Sequence, residues 1–296
     1  MLITGFPAGM LACNCYVLAQ RPGTDAVIVD PGQRAMGPLR RILDRHRLTP
    51  AAVLLTHGHI DHMWSAQKVS DTYGCPTYIH PEDRFMLKDP IYGLGPRLAQ
   101  LAAGAFFREP RQVVELDRDG DKLDLGSVTV NVDHTPGHTR GSMCFRVSSD
   151  KQVVFTGDTL FERSVGRTDL FGGSGRDLLT SIVDKLLVLD DDTVVLPGHG
   201  NATTIGAERR LNPFLEACSP CRNSALPRVC PTTCRRARRS SSRSAPAYWT
   251  PPAAPGTATS SCPSSRTPRC SPAASANPPM WCPRRCTPSP TAATAR

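Results

Sequence analysis

Lysine, aspartate, glutamate, isoleucine and phenylalanine are all missing between Ala217 and Arg296. A stretch without these residues, rich instead in Pro, Ser, Arg, Ala, Thr and Cys, cannot bury a core and is expected to be disordered. Nowhere in the chain is an apolar run long enough to cross a bilayer, so no membrane partner is expected. The start, Met1-Leu2-Ile3-Thr4-Gly5-Phe6, lacks the basic stretch followed by an apolar core that marks a secretory signal. The expected compartment is the cytoplasm. The four cysteines before residue 217 (Cys13, Cys15, Cys75 and Cys144) have no metal-type spacing and read as small buried residues of a reduced compartment.

The 296 residues carry a formal charge of +9. Twelve arginines lie after residue 216, so 9 − 12 leaves −3 for residues 1–216. The basic balance belongs to the tail, and the body is mildly acidic. Length allows one large domain or two modest ones, and the hydrophobic share of 40% is low for a wholly globular chain. The natural boundary is therefore 1–216, a folded domain, against 217–296, a low-complexity tail. Cys218-Ser219-Pro220-Cys221, Cys230 to Cys234 and Cys282 to Cys286 invite a zinc-module reading, but the intervals are irregular and the tail has no histidine. Arg235-Arg236-Ala237-Arg238-Arg239 offers charge to nucleic acid without sequence specificity. A third account fits better. Residues coded by GC-rich triplets, with periodicity lost just after the domain closes, point to translation in a shifted frame from near residue 217.

Within the body, strands are expected over Leu11 to Ala19 and Ala26 to Asp30, a helix over Pro38 to Leu48, and a buried strand over Ala52 to Thr56. A helix over Asp61 to Tyr73 and a strand over Thr77 to His80 follow. Pro81 to Glu109 is broken by Pro90, Gly93, Gly95 and Pro96 and is expected to cap the site. Strands are then expected over Val128 to Val132, Ser142 to Val147, Gln152 to Thr156 and Thr193 to Leu196. A helix is expected over Leu178 to Leu189, and Glu208 to Leu215 is expected to close the domain. The fold class is α+β, with sheets inside and helices outside.

Thr56-His57-Gly58-His59-Ile60-Asp61-His62 is the densest chemistry in the chain. Four metal-competent side chains fall where a strand's carboxyl end turns into a helix, the usual place for sites in open α/β sheets. His57 and His59 are two apart and point the same way on an extended segment. Asp61 and His62 follow at the turn, so two pairs aim at two adjacent points. Gly58 lets backbone pass close by. Imidazole and carboxylate donors suit zinc, iron or manganese. Three later strands each end in one more donor, His138, Asp158 and His199, which makes seven. Two ions sharing a carboxylate and a water need about this many.

Thr56 to His62, Thr135-Pro136-Gly137-His138-Thr139-Arg140-Gly141-Ser142, Thr156-Gly157-Asp158 and Pro197-Gly198-His199-Gly200 resemble the metallo-β-lactamase fold hydrolases in order and spacing. Gly157-Asp158-Thr159-Leu160-Phe161 and Gly166-Arg167-Thr168-Asp169 resemble the glyoxalase II (hydroxyacylglutathione hydrolase) branch. The resemblance covers residues 1–216. It implies a four-layer αββα sandwich. It also implies two divalent ions, zinc first and iron or manganese next. His57, His59 and His138 would hold one ion, and Asp61, His62 and His199 the other, with Asp158 bridging. The implied reaction is thioester hydrolysis by a metal-bridging hydroxide, with Asp61 also handling protons. A single-iron persulfide dioxygenase is the alternative activity, and a nucleic-acid-binding role for the tail ranks third. No specific nucleic-acid partner is expected, and oligomeric state is left open.

The added helical domain of glutathione-specific members has no counterpart after Leu215, so the leaving thiol is open. Asp30 and His134 read equally as supports for the ligands or as ordinary turn and packing residues. Arg167 reads either as a substrate anchor or as a partner of Asp169. His46 and His80 read as surface or turn residues, and Met63 and Trp64 as core. Gly172-Gly173-Ser174-Gly175-Arg176 lacks the lysine of a phosphate loop and reads as a loop before a helix.

Overall fold

The computed structural model describes residues 1–90, 107–148 and 151–218. Residues 219–296 of the expected disordered tail and residues 91–106 of the expected cap lie outside the described residues.

Two six-stranded sheets dominate. The first runs in chain order: β1 (Leu2–Ala8), β2 (Cys13–Ala19), β3 (Asp25–Val29), β4 (Thr49–Leu54), β5 (Thr77–Ile79) and β6 (Val113–Glu115). The first three are antiparallel and the rest join in parallel. The second contains β7 (Lys122–Leu125), β8 (Val128–His134), β9 (Met143–Ser148), β10 (Gln152–Gly157), β13 (Val194–Pro197) and β14 (Thr203–Thr204), ordered β14-β13-β10-β9-β8-β7. Between β10 and β13 sits a small hairpin of β11 (Leu160–Phe161) and β12 (Ser164–Val165).

Three buried clusters define the layers. Leu18, Val27, Val29 and Leu54 from the first sheet face Val130, Val132, Phe145 and Phe155 from the second. On the far side of the first sheet, Val17, Ile28 and Val53 pack on Leu39 and Leu43 of helix α1 (Met36–His46) and Val69 of helix α3 (Ala66–Tyr73). Across the second sheet, Val154 and Val195 pack on Leu178 of helix α5 (Gly175–Ser181) and Ile205 of helix α6 (Ile205–Leu211). The order of layers is αββα. Val27, Ile28 and Val29 show why β3 reads as an unbroken apolar run: successive side chains go to opposite faces, and both faces are covered. Burying each such side chain contributes about 1.5–3 kcal/mol, which outweighs the weak intrinsic stability of helices this short. Among the described residues no helix is long and apolar enough to cross a membrane.

The sequence expectations hold for element type more than for ends. β1 goes unread because it is an edge strand with a mixed burial pattern, and Pro7 sits where an edge tolerates it. The helix expected over Asp61 to Tyr73 is two: α2 (Ile60–Met63) and α3. Ser65 separates them, its backbone N–H donating to Pro31 O and its hydroxyl to Gly32 O. Helix α5 begins earlier than expected, because the Ser174 hydroxyl accepts from the Asp177 N–H as a cap, and then loosens into a π turn over Ile182–Leu186. The last helix ends before Pro213, which cannot continue it. Met63 is core and Trp64 packs partly buried beside it. Cys13, Cys15, Cys75 and Cys144 are buried free thiols.

His80 is a correction. It does open a turn, with its ring accepting from the Glu82 N–H at the start of α4 (Pro81–Arg84), but it is buried rather than at the surface. The His134 ring of β8 covers it, stacked at 4.1 Å and 9°. A His-Pro pair announces the turn; nothing local announces the lid.

Candidate metal centre

Every expected donor sits at a strand's carboxyl end, and the two sheets bring those ends together. After β4 come His57 and His59, then Asp61 and His62 in α2. After β8 comes His138; Asp158 follows β10 and His199 follows β13. Three groups of side-chain donors converge, each with its atoms within 4.8 Å: His57 with His59 and His138, Asp61 with His62 and His199, and His57 with His62 and Asp158.

In the first triad, His59 Nδ1 lies 3.1 Å from His57 Nε2 and 2.9 Å from His138 Nε2. In the second, His199 Nε2 lies 3.3 Å from His62 Nε2 and 3.1 Å from Asp61 Oδ2. Asp158 spans both: Oδ1 is 3.3 Å from His62 Nε2, and Oδ2 is 3.5 Å from His138 Nε2.

The hydrogen bonds behind the rings decide which nitrogens face inward. Asp30, buried and held in a left-handed conformation (φ 48°), accepts from Thr56 N–H at Oδ1 (2.8 Å). Its Oδ2 accepts from the Thr56 hydroxyl (2.7 Å) and from His62 Nδ1 (2.9 Å). With the Thr56 proton committed to Asp30, its oxygen accepts from His57 Nδ1 at 3.1 Å. One carboxylate thereby sets the tautomer of a ligand in each triad, leaving both Nε2 lone pairs inward. His138 Nδ1 donates to Arg167 O at 2.8 Å with the same result.

Lone pairs meeting at this range repel one another. Tetrahedral ligands about 2.0–2.1 Å from an ion would be about 3.3 Å apart, close to the separations found. The electrostatics agree. Burial, with His62, His59, His138 and His199 around it, holds His57 well below the ordinary imidazole range. Burial and His138 push His59 down to about 3, against the pull of Asp61 and Asp158. Burial opposes charge on Asp61 and Asp158, but His62 and its neighbours outweigh it and keep both carboxyls low. His62 runs the other way: burial is outweighed by Cys13, Asp158, Asp61 and Asp30, which hold it high. His57 and His59, kept neutral, and Asp61 and Asp158, kept ionised, are acceptors, and the carboxylates also draw positive charge onto His62 and His199, so the cluster attracts a cation.

Not all expected site residues join. Asp30 does. His134 does not; its Nε2 lies 2.9 Å from Arg140 O and its ring stacks on His80. The Arg167 guanidinium is paired with Asp169 through two 2.7 Å bonds, and only its backbone oxygen touches a ligand. Three supporting residues escaped the sequence reading. Asp83 accepts from Gly58 N–H, Gly141 N–H and the Thr139 hydroxyl. Asn14 donates to Pro197 O and Gly200 O, and Tyr16 donates to Pro197 O, pinning the His199 loop. All three act largely on backbone groups, which leave no trace in spacing.

The chain is similar to known proteins. A Mycobacterium leprae protein is 86% identical over 216 residues, which are 73% of this chain and 99% of that one. The hydroxyacylglutathione hydrolase GloC of Haemophilus influenzae is 35% identical over 66% of this chain and 89% of its own. Among solved structures, the BLEG-1 B3 metallo-beta-lactamase matches with TM-score 0.65 and 39% identity, covering 73% of this chain and 100% of that one. TTHA1623 in a di-iron-bound form matches with TM-score 0.61 and 35% identity, covering 72% and 100%. The family model for the metallo-beta-lactamase superfamily matches residues 8–199, from the end of β1 to the last donor, and the chain belongs to that superfamily.

Proposed function

We propose that the chain is a binuclear metal-dependent thioester hydrolase of the hydroxyacylglutathione hydrolase kind. The observation that carries this reading is the meeting of two complete triads on one carboxylate, Asp158. His57, His59 and His138 would hold one cation and Asp61, His62 and His199 the other. The similarity to GloC supports the substrate class, and the di-iron form of TTHA1623 supports two ions. Zinc is the first expectation, with iron or manganese also suited to these donors. When bound, such a pair supplies a nucleophile from water at neutral pH and stabilises the developing oxyanion. The chain's own part is to hold tautomers through Asp30 and Thr56 and to seat Asp158 between the triads. Asp61, the more exposed carboxylate at the mouth, can also take up a proton. The work is assigned to residues 1–216; restoring the frame near codon 217 and finding no plausible short ending would reject the shifted-frame origin of the tail.

The test is a thioester panel on chain loaded with zinc, iron or manganese, with metal content measured on the same samples. S-Lactoylglutathione and acyl thioesters of other thiols are expected to be cleaved at two metals per chain. A β-lactam and a persulfide with oxygen-uptake readout serve as the competing arms. Cleavage of no thioester by the fully loaded chain would sink the proposal, and oxygen uptake at one iron per chain would replace it with the dioxygenase.

One wall of the mouth bears on the substrate. Exposed Met10 and Leu11, at the tip between β1 and β2, line a cleft with Ala8, Ile60, Trp64 and the ligand Asp61. An apolar part of the thioester fits there. Met10→Asp is expected to raise KM for apolar acyl thioesters about tenfold, or about 1.4 kcal/mol of lost contact, with kcat little changed. A steady-state titration checks it, and an unchanged KM removes this wall from the substrate site.

A further inference from the structure

Asp83 is 1% exposed and lies in α4, outside every ligand motif. Its Oδ2 accepts from Gly58 N–H at 2.9 Å and from the Thr139 hydroxyl at 2.6 Å, and its Oδ1 accepts from Gly141 N–H at 3.0 Å. Gly58 stands between His57 and His59. Thr139 directly follows His138, and Gly141 lies two residues on. One buried carboxylate therefore holds the amide between His57 and His59 and, through the Thr139 hydroxyl and the Gly141 amide, the segment that follows His138.

The surroundings are shaped for that grip. A Cβ on Gly141 would meet Asp83 Cγ at 2.7 Å and Oδ1 at 2.8 Å, and one on Gly58 would meet Asp83 O at 2.8 Å. Both loops approach closely only because these positions lack side chains. The second triad is braced differently. His62 is held by Asp30, and the His199 loop by Asn14 and Tyr16.

We infer that Asp83 is a positioning residue that pre-sets the His57–His59–His138 triad for its cation, and that its loss weakens that site while sparing the other. The inference rests on the two-cation reading above. A buried carboxylate serves better than a neutral group here, because three donors converge on it and an amide in its place would turn an N–H against one of them.

The test is zinc titration of the full chain, read by chelator competition and by zinc content, with hydrogen exchange at the Gly58 and Gly141 amides. Wild type is expected to bind two zincs. Asp83→Asn is expected to keep one site near wild-type affinity, to weaken the other about 10–100-fold, and to speed exchange at both amides. Combined with His59→Ala it should weaken the lost site no further, whereas its effect should add to that of His199→Ala. Should Asp83→Asn fail to fold, Thr139→Val removes one donor and should show the same site selectivity at smaller amplitude. Two wild-type affinities in Asp83→Asn, or equal weakening of both sites, overturn the inference. A single zinc in wild type overturns the two-cation reading instead; the Asp83 assignment then falls if Asn leaves that one affinity unchanged.

Discussion

Asp158→Ala is expected to lower thioester hydrolysis by well over the roughly 10–100-fold that loss of a residue supporting a ligand costs, and to leave fewer than two cations per chain. Among the described residues Asp158 is the one side chain whose oxygens reach both triads, at 3.3 Å to His62 and 3.5 Å to His138. On the two-cation reading each cation would keep three protein donors without it, but nothing would tie the two together. The effect should fall on kcat, since the spacing of the cations would set the reacting geometry and the apolar wall at Met10 is untouched. Metal content and steady-state kinetics on the same preparation check this. A variant that retained two cations and near wild-type kcat would remove Asp158 from the shared position.

Gly198→Ala is expected to be almost as damaging, although it removes no ligand. A Cβ there would stand 2.4 Å from Asp158 Oδ1 and 2.6 Å from His62 Cε1. Relief by backward movement of the loop is blocked. Gly198 N–H donates to Gly157 O at 2.8 Å, and its oxygen accepts from Asn14 N–H at 2.7 Å. The added methyl must therefore displace Asp158 or His62. The expected result is a loss of at least about a hundredfold in kcat/KM with the fold intact by circular dichroism. Gly74→Ala is the contrast. Gly74 ends α3 in a left-handed conformation with open space around it, so alanine there should cost about 1–2 kcal/mol of stability and no activity. If both variants behaved alike, crowding at the centre would not be the cause.

The donors were readable because they cluster at short range or sit just past strand-like runs, and both signals survive in one dimension. The two-site geometry followed from His57, His59, Asp61 and His62 alone, whereas assigning His138 and His199 to different triads required resemblance or coordinates. Asp30 was visible as a neighbour but not as the group that orients His57 through Thr56 and His62 directly. Asp83 was invisible because its partners are two amides and a hydroxyl, and any short polar residue in Pro81-Glu82-Asp83-Arg84 could have faced solvent. Edge strand β1 was missed for want of alternation, and the break between α2 and α3 because Ser65 finds its partners more than thirty positions earlier, at Pro31 and Gly32.

The bonds from Asn14 to Pro197, Gly198 and Gly200 join nearly opposite ends of the folded body. During synthesis the early histidine group leaves the ribosome long before its partners, and the strand bearing Asn14 waits for the loop that closes on it. Contacts so distant along the chain form late and slow folding. A nascent enzyme of this design stays inert until about its two-hundredth residue has emerged, and a ribosome stalled earlier releases no partial catalyst.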